Sequence, residues 1–326
     1  MFEPVLAIHG GAGTISRAVL TPDAARDYED ALTAILSAGY EALQKGVSAL
    51  DAVTLAVEMF EDCPLFNAGR GSVYTSKATH EMDAAVMDGA TLAAGSIACV
   101  HGVKNPIRAA RAVMEQSRHV LMVGEGAMDF LRAHGIAFEP EEYFHTEHRY
   151  AQLVAARESD SYGMVLDHDG AARLNAAAPL DEKTKMGTVG AVARDASGKL
   201  AAATSTGGMT NKLPGRVGDS PVIGAGCYAD ATAAVSCTGA GEYFIRLCVG
   251  RDLAARMAYQ GLDLDAAGSI VMRKLGALGG AGGLIAVDRD GNVILPFNTE
   301  GMYRGCVCAD GRRMVAIYGE DGTAGR

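Results

Sequence analysis

A threonine that follows a glycine is the residue of this chain best suited to chemistry. In isolation, Gly187 and Thr188 in KMGTVGAVARD merely open a strand, but a polar segment without regular period precedes them. A threonine hydroxyl needs a base, and its own α-amine can serve once the peptide bond before it is broken. An α-amine has a pKa of about 7.7 to 8.0, so part of it is free base near neutral pH. We therefore predict a cut between the two residues.

A second hydroxyl is predicted beside Thr188 by the hairpin 188–206, which turns at DASG. A three-residue loop with Gly198 in the left-handed conformation places Thr188 opposite Thr206. A two-residue loop would place Ser205 opposite Thr188 instead. Either register puts two hydroxyls together at the end of the strands.

Two opposite charges follow on a Gly/Pro-rich loop. Arg216 and Asp219 are three residues apart, and each alone would be interpreted as a solvated surface charge. Beside a nucleophile they could bind a zwitterion, because a guanidinium pairs with a carboxylate and a carboxylate with an ammonium group.

The segment SCTGAGEYFIR places Thr238 and Gly239 just before a predicted helix. A hydroxyl and backbone N–H groups could converge there on a developing oxyanion. A simple helix-capping turn explains the same residues equally well.

Other catalytic arrangements fit less well. All eight histidines precede residue 169 and there is no GxSxG sequence, so a Ser/His/Asp or Cys/His triad would have to reach across the two halves. The glycine-rich segments HGGAGT (9–14) and GALGGAGG (276–283) fit neither GxGxxG nor the phosphate-loop pattern. We expect structural histidines and no organic cofactor.

The composition limits the partners. There are 29 Lys and Arg against 39 Asp and Glu, a net charge of −10, so we expect neither nucleic acid nor a membrane surface as partner. No apolar stretch approaches the roughly 18 residues of a membrane span, and MFEPVLAIHGG does not resemble a signal peptide. We expect a cytoplasmic protein whose seven scattered cysteines are buried thiols rather than disulfides or a zinc site.

The elements that must position these residues are short strands and amphipathic helices. PVLAIHGGAG is predicted to be a strand, and a helix capped by Thr21, with Pro22 first, should run to Gly46. A second helix should begin at Ser48, whose spacing to Asp51 favours a cap. Further helical periodicity covers residues 106–117, 125–133, 242–259 and 263–275.

Hairpins are predicted at 188–206 and 282–301, each with an Asp-x-x-Gly turn, and a third such turn at 166–170 begins the polar segment before Thr188. We interpret residues from about 156 to 187 as a linker. Helices and apolar strands occur in both halves, so we expect one α+β domain over 1–326, with two stacked, mainly antiparallel sheets flanked by helices.

Nine blocks in this order resemble the plant-type asparaginases, also called isoaspartyl aminopeptidases. The blocks span nearly the whole chain and are IHGGAG (8–13), CPLFNAGRGSVYT (63–75), MDAAVMDG (82–89), HVLMVGEGA (119–127), KMGTVGAVA (185–193), TSTGGMTNKLPGRVGDSPVIGAGCYA (204–229), SCTGAGE (236–242), GGAGGLIA (279–286) and PFNTEGM (296–302).

The resemblance implies an αββα sandwich of the N-terminal nucleophile hydrolases that is cut into an α subunit, 1–187, and a β subunit, 188–326. It also implies a homodimer of αβ units and the hydrolysis of β-aspartyl dipeptides and L-asparagine. Thr188 would attack the side-chain amide carbon, supported by Thr206 and Thr238. The remaining roles carried over are Thr238 with Gly239 as oxyanion hole, Arg216 for the α-carboxylate, Asp219 for the α-ammonium, and Asn67 and Gly241 nearby.

The same resemblance implies a structural sodium ion on the loop 60–70. Its ligands would be the backbone carbonyls of Phe60, Glu61, Cys63, Phe66, Ala68 and Arg70. Arg70 departs from family members with an apolar or small residue there, which leads us to expect a reshaped loop beside Asn67 rather than loss of the ion.

Related activities are distinguished by other features of the sequence. Glycosylasparaginases resemble this chain around the nucleophile, but they are secretory or lysosomal and use a tryptophan, and this chain has none. A threonine aspartase is similar around TVGAV, whereas STGGMTNKLPGRVGDSP is asparaginase-like. A non-enzymatic binding protein on the same scaffold is the alternative from another class, because an uncut precursor would be inert.

Overall fold

The computed structural model describes residues 2–15, 20–163 and 187–319. The strands are β1 Val5–Gly13, β2 Met82–Asp88, β3 Ala94–Val100, β4 Leu121–Val123, β5 Val189–Arg194, β6 Leu200–Thr206, β7 Cys227–Ala229, β8 Ala233–Gly239, β9 Gly282–Asp288, β10 Val293–Ile294, β11 Gly301–Val307 and β12 Arg313–Ala316. The helices are α1 Pro22–Gln44, α2 Ala49–Asp62, α3 Pro106–Gln116, α4 Gly124–Ala133, α5 Glu141–Phe144, α6 Glu147–Gly163, α7 Gly241–Leu247, α8 Val249–Gln260 and α9 Leu264–Ala277.

The strands of the described residues form two sheets. The larger sheet has the order β12-β11-β1-β5-β6-β2-β3-β4, and the smaller has the order β10-β9-β8-β7. Neighbouring strands are antiparallel except β3 and β4, which run parallel. The strand β5, which Thr188 precedes, therefore lies near the middle of the larger sheet, between β1 and β6.

Alternate residues of β1 face two different cores, as the period of a strand requires. Leu6 and Ile8 pack with residues of α1, α2 and α3, whereas Val5 and Ala7 pack against residues of the smaller sheet. A third core lies between the smaller sheet and helices α7, α8 and α9. The order helix, sheet, sheet, helix confirms the predicted four-layer sandwich.

The turn between β5 and β6 decides which predicted register is correct. Val189 pairs with Ser205, and Gly198 has a φ of 84°. This is the three-residue loop, so the alternative that pairs Ser205 with Thr188 is wrong. One step beyond the last pair, Thr188 and Thr206 lie at the same end of the two strands.

Asp195 joins this turn to helix α2. Its Oδ1 accepts hydrogen bonds from the N–H groups of Ser197 at 2.9 Å and Lys199 at 3.1 Å. Its Oδ2 accepts one from the N–H of Ala49 at 3.1 Å, at the first residue of α2. Burial raises the pKa of Asp195, but these hydrogen bonds outweigh it and hold the pKa below its usual value.

The predicted helix starts are confirmed at α1 and α2. The Thr21 side chain accepts a hydrogen bond from the N–H of Ala24 at 3.2 Å, and the Ser48 side chain accepts one from the N–H of Asp51 at 3.1 Å. No helix among the described residues is both long and apolar enough to cross a membrane.

Several boundaries differ from the predictions. The helical segment 242–259 is divided by Cys248, whose φ of 47° is left-handed, and Cys248 is exposed rather than buried. Helix α6 extends to Gly163 and so covers the first residues assigned to the linker 156–187. Except for Gly187, the rest of that linker, including the turn predicted at 166–170, lies outside the described residues.

We predict that Asp195→Ala lowers the free energy of unfolding by about 1 to 3 kcal/mol at pH 7, because several N–H groups lose their acceptor. The folded pKa is below the unfolded value of 3.8. The stabilisation is therefore present above pH 3.8 and is lost as the pH falls through the folded pKa. Urea unfolding at several pH values measures this, with Asp290→Ala, in an exposed turn, as the control. Equal losses in both variants would contradict the prediction.

Candidate active site

The hydroxyl of Thr188 takes part in a chain of hydrogen bonds that returns to its own preceding peptide. Thr188 is 7% exposed, and its hydroxyl donates to Thr206 Oγ1 at 3.2 Å. The Thr206 hydroxyl donates to the carbonyl oxygen of Gly187 at 3.4 Å and accepts from the N–H of Gly208 at 2.9 Å. Thr206 can therefore orient the Thr188 hydroxyl and polarise the Gly187 carbonyl that Thr188 would attack.

Strand β1 connects Thr238 with this peptide. The N–H of Ala12 donates to Thr238 Oγ1 at 3.2 Å. Its neighbour Gly11 has a φ of 113°, and a Cβ atom there would lie 2.8 Å from the Cα of Gly187. The register of β1 against β11 shifts between His9 and Gly11, and such bulges are frequent beside active sites. The end of β1 thus contacts both the peptide between Gly187 and Thr188 and the hydroxyl of Thr238.

Gly239 follows Thr238 in a position that has no room for a side chain. It pairs with Gly282 at the end of β8, and a Cβ atom on Gly239 would lie 2.4 Å from the carbonyl oxygen of Ala281. The backbone of Gly239 is thereby fixed between β9 and the start of α7.

Asp219 is a buried carboxyl group that packs against Gly241. It is 3% exposed, and a Cβ atom on Gly241 would lie 2.8 Å from its Oδ1. Its Oδ2 has no hydrogen-bond partner among the described residues. Burial raises the pKa of Asp219 to about 7, although Arg216 opposes the shift. A buried carboxylate oxygen without a partner is suited to accept hydrogen bonds from a ligand ammonium group.

Arg216 is paired with a residue that the sequence analysis did not identify. Its Nε and one Nη donate to Glu242 Oε1 at 2.9 and 2.8 Å. The side chain of Arg216 is 19% exposed and that of Glu242 is 55% exposed. A bound carboxylate would compete with Glu242 for the guanidinium group. The signal in the sequence that could have identified Glu242 is its place as the last residue of the SCTGAGE block.

Asn67 organises the backbone that surrounds the nucleophile. Its Nδ2 donates to the carbonyl oxygen of Gly208 at 2.7 Å, and its Oδ1 accepts from the N–H of Val73 at 3.0 Å. Its own carbonyl oxygen accepts from the N–H of Gly207 at 3.1 Å. These contacts make it a positioning residue, since Gly208 is the backbone donor to Thr206.

In the loop 60–70, backbone carbonyl oxygens lie against two glycines. A Cβ atom on Gly71 would lie 2.0 Å from the carbonyl oxygen of Phe66, and one on Gly69 would lie 2.5 Å from that of Glu61. Oxygen ligands of this kind suit a hard cation. The Arg70 guanidinium lies over the ring of Tyr143, 5.4 Å from its centroid, so the loop accommodates this side chain by pointing it outward.

The side chain of Glu61 was also missed, because only its carbonyl had been considered. Its Oε1 accepts from the hydroxyl of Ser205 at 2.6 Å and from the N–H of Ile107 at 2.8 Å. Burial raises the pKa of this carboxyl group to about 8. Glu61 thus joins α2, the start of α3 and the strand that carries Thr206.

One histidine lies beneath the nucleophile strand. His9 Nε2 is 2.8 Å from Ser236 Oγ, and Ser236 Oγ is 2.7 Å from Thr204 Oγ1. A Cβ atom on Gly190 would lie 2.5 Å from His9 Nε2. Burial lowers the pKa of His9 to about 3, so the ring is neutral. His9 thus joins the two sheets as a structural residue.

A threonine whose hydroxyl is linked, through a second threonine, to the carbonyl of its own preceding peptide, in a four-layer sandwich, is an arrangement that fits the N-terminal nucleophile hydrolases. Residues 2–317 match the sequence model described as asparaginase. The chain belongs to this asparaginase family.

Three relatives illustrate the similarity. The isoaspartyl peptidase of Escherichia coli (strain K12) is 58% identical over 324 residues, which are 99% of this chain and 98% of that protein. The isoaspartyl peptidase of Salmonella typhimurium is 58% identical over 322 residues, 98% of this chain and 100% of that protein. The plant-type L-asparaginase of Pyrococcus horikoshii is 42% identical over 299 residues, 91% and 94% of the two chains.

We predict that Asp219→Asn raises the free energy of unfolding at pH 8, because folding no longer desolvates a carboxylate. The folded pKa of about 7 lies above the unfolded value of 3.8. The carboxyl group therefore destabilises the fold increasingly as the pH rises from 3.8 to 7, and the penalty is complete above that range. Wild type and variant should unfold alike near pH 4 and differ at pH 8 in urea titrations. An exposed control, Asp23→Asn, should show no such divergence, and parallel curves for Asp219→Asn would refute the assignment.

Proposed function

We propose that this chain is an autoproteolytically activated amidohydrolase that cleaves β-aspartyl dipeptides and L-asparagine with Thr188 as its nucleophile. The observation that carries the proposal is the hydrogen-bond chain from Thr188 through Thr206 to the carbonyl of Gly187. The names of the relatives, isoaspartyl peptidase and L-asparaginase, support the choice of substrates.

In the activation step, Thr188 Oγ1 attacks the carbonyl carbon of Gly187, the peptide C–N bond breaks and the hydroxyl proton passes to the Thr188 nitrogen, which leaves an ester and a free α-amine. Water then hydrolyses the ester to a carboxylate on Gly187 and restores the Thr188 hydroxyl. The products are an α subunit, 1–187, and a β subunit, 188–326. The N–H of Gly208 supports the step by holding Thr206 in place.

In the hydrolytic step, the new α-amine of Thr188 takes the proton of its own hydroxyl while Oγ1 attacks the amide carbon of the substrate. The Thr238 hydroxyl and the Gly239 N–H would stabilise the oxyanion. The amine returns the proton to the leaving nitrogen, and water hydrolyses the acyl-enzyme to release aspartate.

The aspartyl unit would be held at its two charged ends. Arg216 would bind the α-carboxylate in competition with Glu242, and Asp219 would bind the α-ammonium. Gly241 makes room beside Asp219.

Thr188→Ala should yield a folded chain that is neither cut nor active. A wild-type preparation should give fragments of about 19 and 14 kDa in a denaturing gel, the shares 187/326 and 139/326 of 33.7 kDa. Thr188→Ser is the matched control, because it keeps the hydroxyl and should still be cut. Cleavage of Thr188→Ala at the same bond would show that another group performs the cut.

The matured enzyme should hydrolyse β-Asp-Leu and L-Asn but not α-Asp-Leu. Only asparagine and the β-linked peptide leave the α-carboxylate and α-ammonium free together. An α-linked peptide has no α-carboxylate to offer the guanidinium, which would stay paired with Glu242, so the peptide lacks this charge-assisted anchor. Rates on the three substrates test this, and Arg216→Ala should mainly raise KM. Comparable rates for α-Asp-Leu and β-Asp-Leu would overturn the assigned anchoring.

We also propose that the loop 60–70 binds a structural sodium ion through the carbonyls of Phe60, Glu61, Cys63, Phe66, Ala68 and Arg70. The crowded carbonyl oxygens around Gly69 and Gly71 support this. An ion bound only to the folded state raises stability by mass action. Tm should therefore be higher in sodium chloride than in the chloride of a large organic cation at equal ionic strength. Identical Tm values would argue against the site.

Two further proposals concern the assembly of the subunits and the cellular compartment. We propose a homodimer of αβ units, by analogy with the family, which the mass of the native particle would test. We propose a cytoplasmic location because all seven cysteines are free thiols, as is usual in a reducing compartment. Fractionation of the source cells would test that location.

A further inference from the structure

A cavity of about 570 Å³ adjoins the peptide before Thr188. This is within the usual size range of small-molecule sites, roughly 300 to 1,000 Å³. Gly187 and Asn67 line the end next to the nucleophile. The larger apolar side chains along the cavity include Ile15, Leu20, Tyr28, Leu65, Phe66 and Tyr303.

The proton transfer of the hydrolytic step determines where the leaving group lies. The base that takes a proton from the nucleophile must return it to the leaving nitrogen, which requires a distance of roughly 2.6 to 3.2 Å. In the proposed function that base is the α-amine of Thr188. The leaving nitrogen must therefore come next to this atom, and the residue attached to it must extend from there.

In the uncut chain, the place next to the Thr188 nitrogen is taken by Gly187. Gly11 closes one side, because a Cβ atom on it would lie 3.4 Å from the Thr188 nitrogen. Once the bond is cut, Gly187 is no longer held there. Since Gly187 lines the cavity, its departure connects the cavity with the site of proton return.

The charge in the cavity comes from Arg149. The buried guanidinium donates from Nε to the carbonyl oxygen of Gly71 at 2.8 Å, and from Nη atoms to Leu65 at 3.3 Å and Gln152 at 3.1 Å. These contacts use three of its five N–H groups. Among the described residues that line the cavity, none is Asp or Glu. The Arg149 guanidinium therefore favours a carboxylate in this cavity and opposes a cationic side chain.

We propose that this cavity binds the leaving amino acid of a β-aspartyl dipeptide and selects an apolar side chain with a free carboxylate. The inference rests on the proposed function and adds the class of leaving residue. Ammonia, the leaving group of L-asparagine, needs no such space, so the two substrates differ in their dependence on the cavity.

The test compares kcat/KM of the matured enzyme for β-Asp-Leu, β-Asp-Gly, β-Asp-Lys and L-Asn. We expect wild type to prefer β-Asp-Leu over β-Asp-Gly by about tenfold, from burial of the isobutyl group, and to disfavour β-Asp-Lys. Ala24→Phe fills the cavity from α1. It should lower the ratio of kcat/KM for β-Asp-Leu to kcat/KM for L-Asn by at least about fivefold. Ala25→Phe, on the next residue and not in the cavity lining, should leave that ratio unchanged.

A second variant keeps the test decisive if Ala24→Phe does not fold. Leu20→Ala enlarges the cavity and should raise kcat/KM for β-Asp-Phe relative to kcat/KM for β-Asp-Leu. Similar rates for β-Asp-Leu and β-Asp-Gly, unaffected by the cavity variants, would overturn this inference and leave the proposed function intact. Ala24→Phe could instead slow the cut before Thr188 and leave the ratio of kcat/KM for β-Asp-Leu to that for L-Asn unaltered. That result would also overturn the inference, because the cavity would then matter only for the cut and not for the substrate. A cut wild type inactive on every aspartyl substrate would refute the proposed function and this inference with it.

Discussion

The pairing of β5 with β6 is the constraint on which the site depends. The contact between the Thr188 and Thr206 hydroxyls exists because Val189 is opposite Ser205, and a slip of one residue would turn Thr206 to the other face of the sheet. Asp195 fixes this register at the far end of the hairpin and links it to the start of α2. The chemistry at one end of the strands therefore relies on hydrogen bonds at the other.

Burial determines which groups of the site are charged. His9 and Glu61 are neutral near pH 7, because burial moves the pKa of each toward its uncharged form. Neither side chain is therefore a base comparable with the α-amine that the cut before Thr188 would release. Asp219, with a pKa of about 7, is the exception that a ligand ammonium group would hold ionised. Burial of the Asp219 carboxylate lowers the stability of the fold, and binding of a ligand ammonium group at this position would offset that loss.

Local chemistry explains what the sequence could predict. Thr21, Ser48 and Gly198 act through their nearest neighbours, so two helix starts followed from residue type and spacing, and the turn was narrowed to two registers of which the structure has one. The pairing of Arg216 with Glu242 joins residues 26 positions apart, and the contact of His9 with Ser236 joins residues 227 apart. Such contacts arise from packing of layers and have no short-range pattern. The same holds for the left-handed Cys248, a residue type that seldom adopts this conformation.

Cutting the peptide bond before Thr188 would change both the available base and the available space at the site. It converts the Thr188 amide nitrogen, which has no useful basicity, into an amine that can take the hydroxyl proton. It also frees Gly187 from the place next to that nitrogen and opens the cavity that Gly187 lines. In the uncut chain, the Thr188 hydroxyl is linked through Thr206 to the Gly187 carbonyl, and Gly187 itself occupies the place next to the Thr188 nitrogen. An uncut chain would therefore lack the base and the room at once, and its inactivity would need no separate inhibitory segment.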